Sequence, residues 1–140
     1  MTLKIMPNKI TIYTDGGARG NPGPAAIGVV IYGVGEKPLR QVGEHIGNAT
    51  NNQAEYQALI RGLKEAESLE AKELTCFLDS ELVVRQLTGK YKVKEQELKL
   101  LAAEVFKLSN KFLSVEYKHV PREKNKLADK LVNEALDEST

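Results

Sequence analysis

The sequence predicts an α/β fold built around one mixed sheet of five strands. An alternation of β-branched and aromatic residues at 10–15 is followed, after a short loop, by an apolar run at 25–32, and together these predict a β-hairpin. Apolar residues then recur at helical spacing in segments at 50–69, 95–110 and 124–136. The resulting order, β-β-β-α-β-α-α-β-α, is typical of a three-stranded antiparallel meander extended by two parallel strands, with helices on both faces.

The first two strands are joined by a loop of glycine, asparagine and proline that directly follows Asp15. Glycine lets a ligand approach the backbone closely, and proline prevents a helix from starting there. The glycines do not form G-x-G-x-x-G, the loop leads into a strand, and the chain has no G-K-[ST]. A dinucleotide site or P-loop is therefore not expected. An acidic residue beside a bare backbone suits a metal held next to a polyanion, and an ordinary turn is the alternative.

A third strand at 39–46 leads to the first helix, whose N-cap is Thr50 or Asn51. At roughly 100° per residue, Glu55 falls near the centre of the apolar stripe of this helix. A carboxylate that points into the core is costly unless something compensates its charge. Glu55 is therefore either a functional residue or a side chain that bends out to solvent.

The fourth strand at 73–78 is apolar enough to be buried on both faces, as a central parallel strand would be. Asp79 follows it and precedes a helix at 81–88. This aspartate is therefore either an N-cap or a group at the carboxyl end of a strand, where open α/β sheets bind ligands. A fifth strand at 115–120 and a turn lead to the last helix, where Asp129 lies at the margin of the inner face.

Length and composition are those of an ordinary globular protein. The 140 residues, 41% hydrophobic and with a net charge of +1, predict a single domain over 1–140, with its core at about 9–136 and a frayed lead before it. No apolar run approaches the roughly 20 residues of a membrane helix, and the one cysteine has no disulfide partner. We therefore expect a soluble, cytoplasmic monomer with no membrane association.

Four carboxylates on separate elements are the candidate catalytic and metal-binding residues: Asp15, Glu55, Asp79 and Asp129. If the first and fourth strands are parallel neighbours, their carboxyl ends bring the first and third of these acids together, and packed helices add the other two. Four unneutralised carboxylates would repel one another, so the cluster requires cations. Oxygen ligands alone suit Mg²⁺ or Mn²⁺, and two such ions about 4 Å apart promote phosphoryl displacement. This chemistry indicates hydrolysis of nucleic-acid phosphodiesters.

The motifs around these acids resemble those of type I ribonuclease H over nearly the whole chain, in the same order and spacing. They are Tyr13-Thr14-Asp15-Gly16-Gly17 with Asn21-Pro22-Gly23, Thr50-Asn51-Asn52-Gln53-Ala54-Glu55, Leu78-Asp79-Ser80, and Asn125-Lys126-Leu127-Ala128-Asp129-Lys130-Leu131. The resemblance implies the ribonuclease H-like fold. It also implies cleavage of the RNA strand of RNA–DNA hybrids with two Mg²⁺ ions, or Mn²⁺ as a substitute, leaving 5′-phosphate and 3′-hydroxyl ends.

The resemblance also assigns roles to individual residues. Asp15 is implied to bridge both ions, Glu55 and Asp79 to bind the ion on the leaving-group side, and Asp129 to bind the ion on the nucleophile side. The residues implied to contact substrate are Gly16, Gly17, Asn21, Thr50, Asn51, Asn52 and Gln53. The amides among them can donate to and accept from a 2′-hydroxyl, the group that distinguishes RNA from DNA. Helix capping is the alternative role for Thr50 and Asn51.

The chain departs from the family pattern at two places: the loop that carries a histidine in many members, and the inserted helix that binds the DNA strand. An ungapped alignment puts His119 at the position of the histidine that many members carry before the last helix, whereas a gapped alignment puts Arg122 or Glu123 there and leaves His119 in the fifth strand. We favour the gapped alignment. The chain also lacks the basic, tryptophan-bearing helix that well-known members insert, and has only residues 89–94 in its place. Weaker hybrid binding with a shallow salt dependence is expected.

Two other functions remain open at this point. A non-catalytic nucleic-acid-binding module on the same fold would not need four acids, and a related nuclease such as a junction-cleaving enzyme would not need a cluster of amides that recognises a 2′-hydroxyl. Double-stranded RNA is a further candidate substrate, because it carries the same hydroxyl group.

Overall fold

The computed structural model describes residues 8–138, and the lead expected to be frayed lies, up to residue 7, outside them. The predicted order of strands and helices is confirmed. The elements are β1 (Lys9–Ala18), β2 (Gly23–Tyr32), β3 (Arg40–Ala49), α1 (Asn51–Ser68), β4 (Glu73–Leu78), α2 (Glu81–Leu87), α3 (Gln96–Ser109), β5 (Ser114–His119) and α4 (Lys126–Glu138). A short 3₁₀ turn, Arg122–Lys124, precedes α4.

The five strands form one mixed sheet in the order β3-β2-β1-β4-β5. The strands β1, β2 and β3 pair antiparallel, and β4 pairs parallel with both β1 and β5. This is the predicted meander extended by two parallel strands. The crossover through α1 places β4 beside the first strand of the meander, so the carboxyl ends of β1 and β4 meet at one edge of the sheet.

Helices cover both faces of the sheet, as predicted. On one face α1, α2 and α3 pack over the main core, whose most deeply buried members include Ile12, Val29, Ile31, Tyr56, Leu59, Leu63, Cys76, Leu78, Val83 and Val105. On the other face α4 packs over β2 through a smaller cluster of Ala26, Val132, Ala135 and Leu136. Each large aliphatic side chain buried in this way contributes roughly 1.5–3 kcal/mol to folding.

The strand β4 differs from its prediction, because only one of its faces is fully buried. Leu74, Cys76 and Leu78 are buried, but Thr75 and Phe77 are half-buried. The helix α4 packs mainly on β2 and β3, so it leaves the second face of β4 partly exposed. There Phe77 stacks on Tyr13 with 5.1 Å between ring centroids. Among the described residues, no helix is both long and apolar enough to span a membrane.

Candidate active site

Asp15 and Asp79 meet where the parallel pairing of β1 with β4 ends. Thr14 pairs with Leu78 as the last residues of that pairing, and the two aspartates are the next residues of their chains. Asp15 was expected to end its strand, but β1 continues to Ala18 because its antiparallel pairing with β2 extends further. Asp79 does not cap α2, because the side chain of Ser80 accepts the hydrogen bond from the backbone N–H of Val83 at 3.3 Å.

Glu55 points inward from α1 and is only 6% exposed, so it does not bend out to solvent. Its Oε1 accepts a hydrogen bond from the backbone N–H of Gly16 at 2.9 Å, whereas its Oε2 is buried and has no partner. A Cβ atom at position 16 would lie 2.2 Å from the carbonyl oxygen of Ala54. Glycine at this position therefore lets α1 approach β1 closely enough to bring Glu55 beside Asp15.

Asp129 reaches the same place from the opposite face through a second close approach. A Cβ atom on Gly28, the residue of β2 that pairs with Asp15, would lie 2.2 Å from the carbonyl oxygen of Ala128. The first turn of α4 therefore packs directly against the sheet, and Asp129 comes to the rim of the site half-buried. Its carboxylate faces the guanidinium of Arg122 at 3.4 Å.

The four predicted carboxylates border one cleft of about 430 Å³. Oxygens of Asp15, Glu55 and Asp79 lie within 4.8 Å of one another, a spacing that allows them to hold a metal ion together. The cleft is also lined by Gly16, Gly17, Ala18, Arg19, Asn51, Asn52, Ser80, Arg122, Val132, Asn133 and Leu136.

Burial and mutual repulsion disfavour ionisation of these acids. Burial, together with the charges of Asp79 and Asp129, raises the pKa of Asp15 to about 7. Burial and the neighbouring Asp15 raise the pKa of Glu55 well above its ordinary value. Burial also raises the pKa of Asp79. A bound cation would reverse each of these effects, since it stabilises the ionised forms.

Asn125 is a site residue that the sequence did not single out. It is 2% exposed, and its Nδ2 donates to the backbone carbonyl of Thr14 at 2.8 Å, which fixes the segment before α4 to β1 beside Asp15. A hydrogen bond from Asn125 also opposes the rise in the pKa of Asp79. Its partner lies 111 positions away, so its place within the last family motif was the only signal that could have found it.

The residues implied to contact substrate gather at the start of α1. Thr50 is the N-cap and forms a capping box with Gln53. The side chain of Asn51 accepts from the backbone N–H of Ala18 at 2.9 Å, and the backbone N–H of Asn51 donates to the side chain of Asn21 at 3.0 Å. The Asn52 side chain has no hydrogen-bond partner among residues 8–138 and lines the cleft.

The structure separates His119 from Arg122 and Glu123, the three candidates for the loop-histidine position. His119 is the last residue of β5 and borders a different cleft, together with Arg85 and Lys90. Arg122 lies in the 3₁₀ turn and lines the carboxylate cleft. His119 thus lies in the fifth strand, where the gapped alignment places it.

Comparisons with known proteins agree with this arrangement. A family model described as reverse transcriptase-like matches residues 13–135. Over 130 residues the chain is 44% identical to a bifunctional protein of Mycobacterium tuberculosis, covering 92% of this chain but 36% of that protein. It is 39% identical over 142 residues to ribonuclease HI of Halobacterium salinarum, covering 99% of this chain and 71% of that one. The chain thus spans about a third of the length of its mycobacterial relatives.

Two solved structures share the fold over nearly their full length. The crystal structure of RNase H1 from Halobacterium salinarum has a TM-score of 0.90 at 41% identity, and covers 93% of this chain and 98% of that one. LC11-RNase H1, solved in complex with an RNA/DNA hybrid, has a TM-score of 0.89 at 47% identity with the same coverage. Identity and coverage at this level, together with the shared motifs, show that the chain belongs to the type I ribonuclease H family.

Proposed function

We propose that this chain hydrolyses the RNA strand of RNA–DNA hybrids with the help of two divalent metal ions. The observation that carries the proposal is the convergence in one cleft of four carboxylates, three from β1, α1 and α4 and one from the residue after β4. A binding module would not need a cluster that costs free energy in the absence of cations. The solved complex of the related LC11-RNase H1 with an RNA/DNA hybrid supports the choice of substrate.

The residues present fit a pair of hard cations. The donor atoms are all carboxylate oxygens, which suit Mg²⁺ with Mn²⁺ as a substitute, and the buried Oε2 of Glu55 has no partner within the described residues. We assign Asp15 to both ions, Glu55 and Asp79 to the ion on the leaving-group side, and Asp129 to the ion on the nucleophile side. When bound, the ions would activate water and stabilise the charge that develops on the phosphate.

The chain's own groups orient the substrate around that centre. Arg122 beside Asp129 offers a permanent positive charge and donors for a phosphate oxygen, but it cannot exchange a proton near neutral pH. We therefore give Arg122 a phosphate-contacting role and His119 no part in the reaction. The expected products carry 5′-phosphate and 3′-hydroxyl ends.

Recognition of RNA is assigned to the start of α1. Asn51 and Asn52 line the cleft one turn away from Glu55, and a side-chain amide can pair with a 2′-hydroxyl in the minor groove. Gly16 and Gly17 line the same cleft and offer backbone that a sugar-phosphate chain can approach closely. Double-stranded RNA carries the same hydroxyl and is a candidate second substrate.

The test is cleavage of an end-labelled RNA–DNA hybrid in Mg²⁺, in Mn²⁺ and in EDTA, with DNA and RNA duplexes as comparison substrates. Asp15→Asn is expected to lose at least about 10³-fold in rate, because it removes a charge that both ions share. Glu138→Gln, which replaces an exposed carboxylate of α4 outside the cleft by the corresponding amide, serves as the matched control. End labelling of the products that requires prior phosphatase treatment would identify 5′-phosphates.

Three other outcomes would contradict the proposal. Cleavage that survives Asp15→Asn would indicate a contaminant, and tight hybrid binding without cleavage in either metal would indicate a binding module. Cleavage of the DNA duplex would indicate a related nuclease with another substrate.

A further inference from the structure

Gln53 differs from its neighbours at the start of α1, because its side-chain amide is engaged at both ends within the protein. Its Oε1 accepts from the backbone N–H of Thr50 at 2.9 Å, and its Nε2 donates to the carboxylate of Glu97 in the first turn of α3. Asn51 and Asn52 line the carboxylate cleft, whereas Gln53 does not. The Gln53 amide is therefore held within the protein at both its oxygen and its nitrogen, whereas the Asn52 amide has no such contact among the described residues.

The contact links two helices at the edge of the substrate cleft. The first turn of α1 contains no acidic residue, and the carboxylate of Glu97 on the neighbouring helix supplies a negative charge near that positive helix end. Leu98, the next residue of α3, is only 3% exposed in the main core, so the backbone of Glu97 is held firmly. A fixed acceptor is thus available to the amide of Gln53.

We propose that Gln53 and Glu97 form a positioning pair that fixes the first turn of α1, so that the two asparagines preceding Gln53 face the minor groove of the hybrid. Thr50 and Gln53 bracket Asn51 and Asn52, and the capping box holds both ends of this turn. The Glu97 contact ties the turn to the core. The inference rests on the proposed function, because it names what orients the substrate-recognising amides.

Because Glu97 is charged, the direction in which Glu97→Ala changes the affinity for the hybrid tests the inference. Within residues 8–138 this carboxylate forms no ion pair, so it places an uncompensated negative charge near a surface proposed to bind a polyanion. On electrostatic grounds alone, Glu97→Ala should bind the hybrid more tightly, because it removes repulsion. Weaker binding by this variant would therefore have to come from lost positioning.

The first measurement is KM and kcat for hybrid cleavage by Gln53→Ala, Glu97→Ala, Glu97→Gln and the double variant. Glu97→Ala is expected to raise KM about 3- to 10-fold, the effect of one hydrogen bond, with kcat within about twofold. Glu97→Gln keeps an oxygen acceptor and should restore most of the loss. Once Gln53 is replaced the pair is already broken, so adding Glu97→Ala to Gln53→Ala should cause no further rise in KM.

Glu104→Ala is the matched control. Glu104 lies two turns further along the same side of α3, about 10 Å away, and forms no ion pair with any described residue. The control should leave KM unchanged or lower it. A KM for Glu97→Ala equal to or below that of the control would overturn the inference. A rise in KM with Gln53→Ala but not with Glu97→Ala would do the same, because the effect would then come from the capping box or from substrate and not from the contact with Glu97.

Hydrogen exchange of the free, metal-free chain separates this inference from the proposed function. The backbone N–H groups of Gln53 and Ala54 both donate to Thr50, and they should exchange several times faster in Glu97→Ala than in wild type or Glu104→Ala. Faster exchange in a protein that cleaves no hybrid would support the pair and reject the function. Unchanged exchange and unchanged KM in an active enzyme would reject the pair alone.

Discussion

Asp15 and Glu55 carry carboxyl groups that the fold places side by side and almost entirely out of contact with water. They are 7% and 6% exposed; burial raises the pKa of both groups, and the neighbouring Asp15 raises the pKa of Glu55 further. Two buried carboxylates without a compensating cation destabilise the fold when ionised. A bound divalent ion would remove the cost of holding these carboxylates ionised and buried. The clustered charges would therefore both destabilise the metal-free site and favour binding of the metal.

The pH dependence of stability in EDTA should reveal this instability. Burial raises the pKa of Asp15 to about 7. The protonated side chain therefore contributes to the free energy of unfolding, fully below the unfolded pKa of about 4, and this contribution is lost as pH rises through about 7. Asp15→Asn cannot ionise and escapes this loss. Between pH 5 and 8 the variant should gain on the order of 2 kcal/mol in unfolding free energy relative to wild type.

Urea unfolding of both proteins at several pH values in this range measures the gain. Stability curves that run parallel for wild type and Asp15→Asn would show that Asp15 ionises normally in the metal-free fold. Wild type at pH 8 should regain its stability when Mg²⁺ or Mn²⁺ is added, and the variant should regain much less.

Asn125 is expected to support both the fold and the site through one buried amide. Asn125→Ala removes the hydrogen bond to the Thr14 carbonyl and leaves that acceptor buried, which should cost about 1–3 kcal/mol of unfolding free energy. Asn133→Ala is the matched control, because the Asn133 amide donates to a backbone carbonyl at an exposed position. Chemical denaturation of the two variants should differ clearly, and equal losses would contradict a special role for Asn125.

At the scale of the elements, local patterns predicted the strands and helices well, and non-local pairing decided where they end. The strand at 73–78 has the observed bounds, because the apolar run that predicted it is a local signal, whereas its burial on both faces depended on packing and was wrong. By contrast, β3 runs to Ala49 and not to residue 46, because its pairing with β2 continues past an irregularity at Ala25 and Ala26. That continuation depends on the partner strand and leaves no trace in the sequence of β3.

The site was predictable to the extent that its residues follow element ends or helix faces. Asp79 follows a strand, and Glu55 falls on an apolar stripe, so both were found by position. Asn125 follows neither rule, since its partner belongs to β1. The different roles proposed for Asn52 and Gln53 were also unpredictable. The contact of Gln53 with Glu97 joins two helices, and only the fold determines how these helices are placed.

Close packing of α4 against β2 should be the feature that places Asp129. A Cβ atom on Gly28 would lie 2.2 Å from a backbone oxygen of α4, so Gly28→Ala must move the helix. We expect a loss of about 1–3 kcal/mol in unfolding free energy from overpacking, together with a large fall in the rate of hybrid cleavage. Gly17→Ala is the control for stability, because its Cβ would meet only Val132 at 3.7 Å. Similar stability of the two variants would contradict the packing argument.

At the scale of the whole molecule, charge is nearly balanced. The chain carries 20 basic and 19 acidic residues, and no inserted basic helix lies between α2 and α3. The segment between these helices offers Lys90, Lys92 and Lys94, all exposed, and the guanidinium of Arg85 stacks over the ring of Tyr91 at 5.4 Å. These residues form a small basic surface, so few phosphates can be neutralised at once.

The affinity for a hybrid should therefore depend only weakly on salt. Each neutralised phosphate contributes about −0.9 to the slope of log K against log salt, so a steep slope would require six or more contacts. Binding of Asp15→Asn to a labelled hybrid in EDTA, measured by anisotropy between about 50 and 200 mM KCl, gives the slope without cleavage.

Lys92→Ala in the same background should make the slope of log K against log salt shallower by about one if this lysine contacts a phosphate. Lys64→Ala, on α1, should leave it unchanged. A slope that corresponds to six or more phosphate contacts would mean that a second basic surface contributes to binding. An unchanged slope for Lys92→Ala would mean that the phosphates contact other residues.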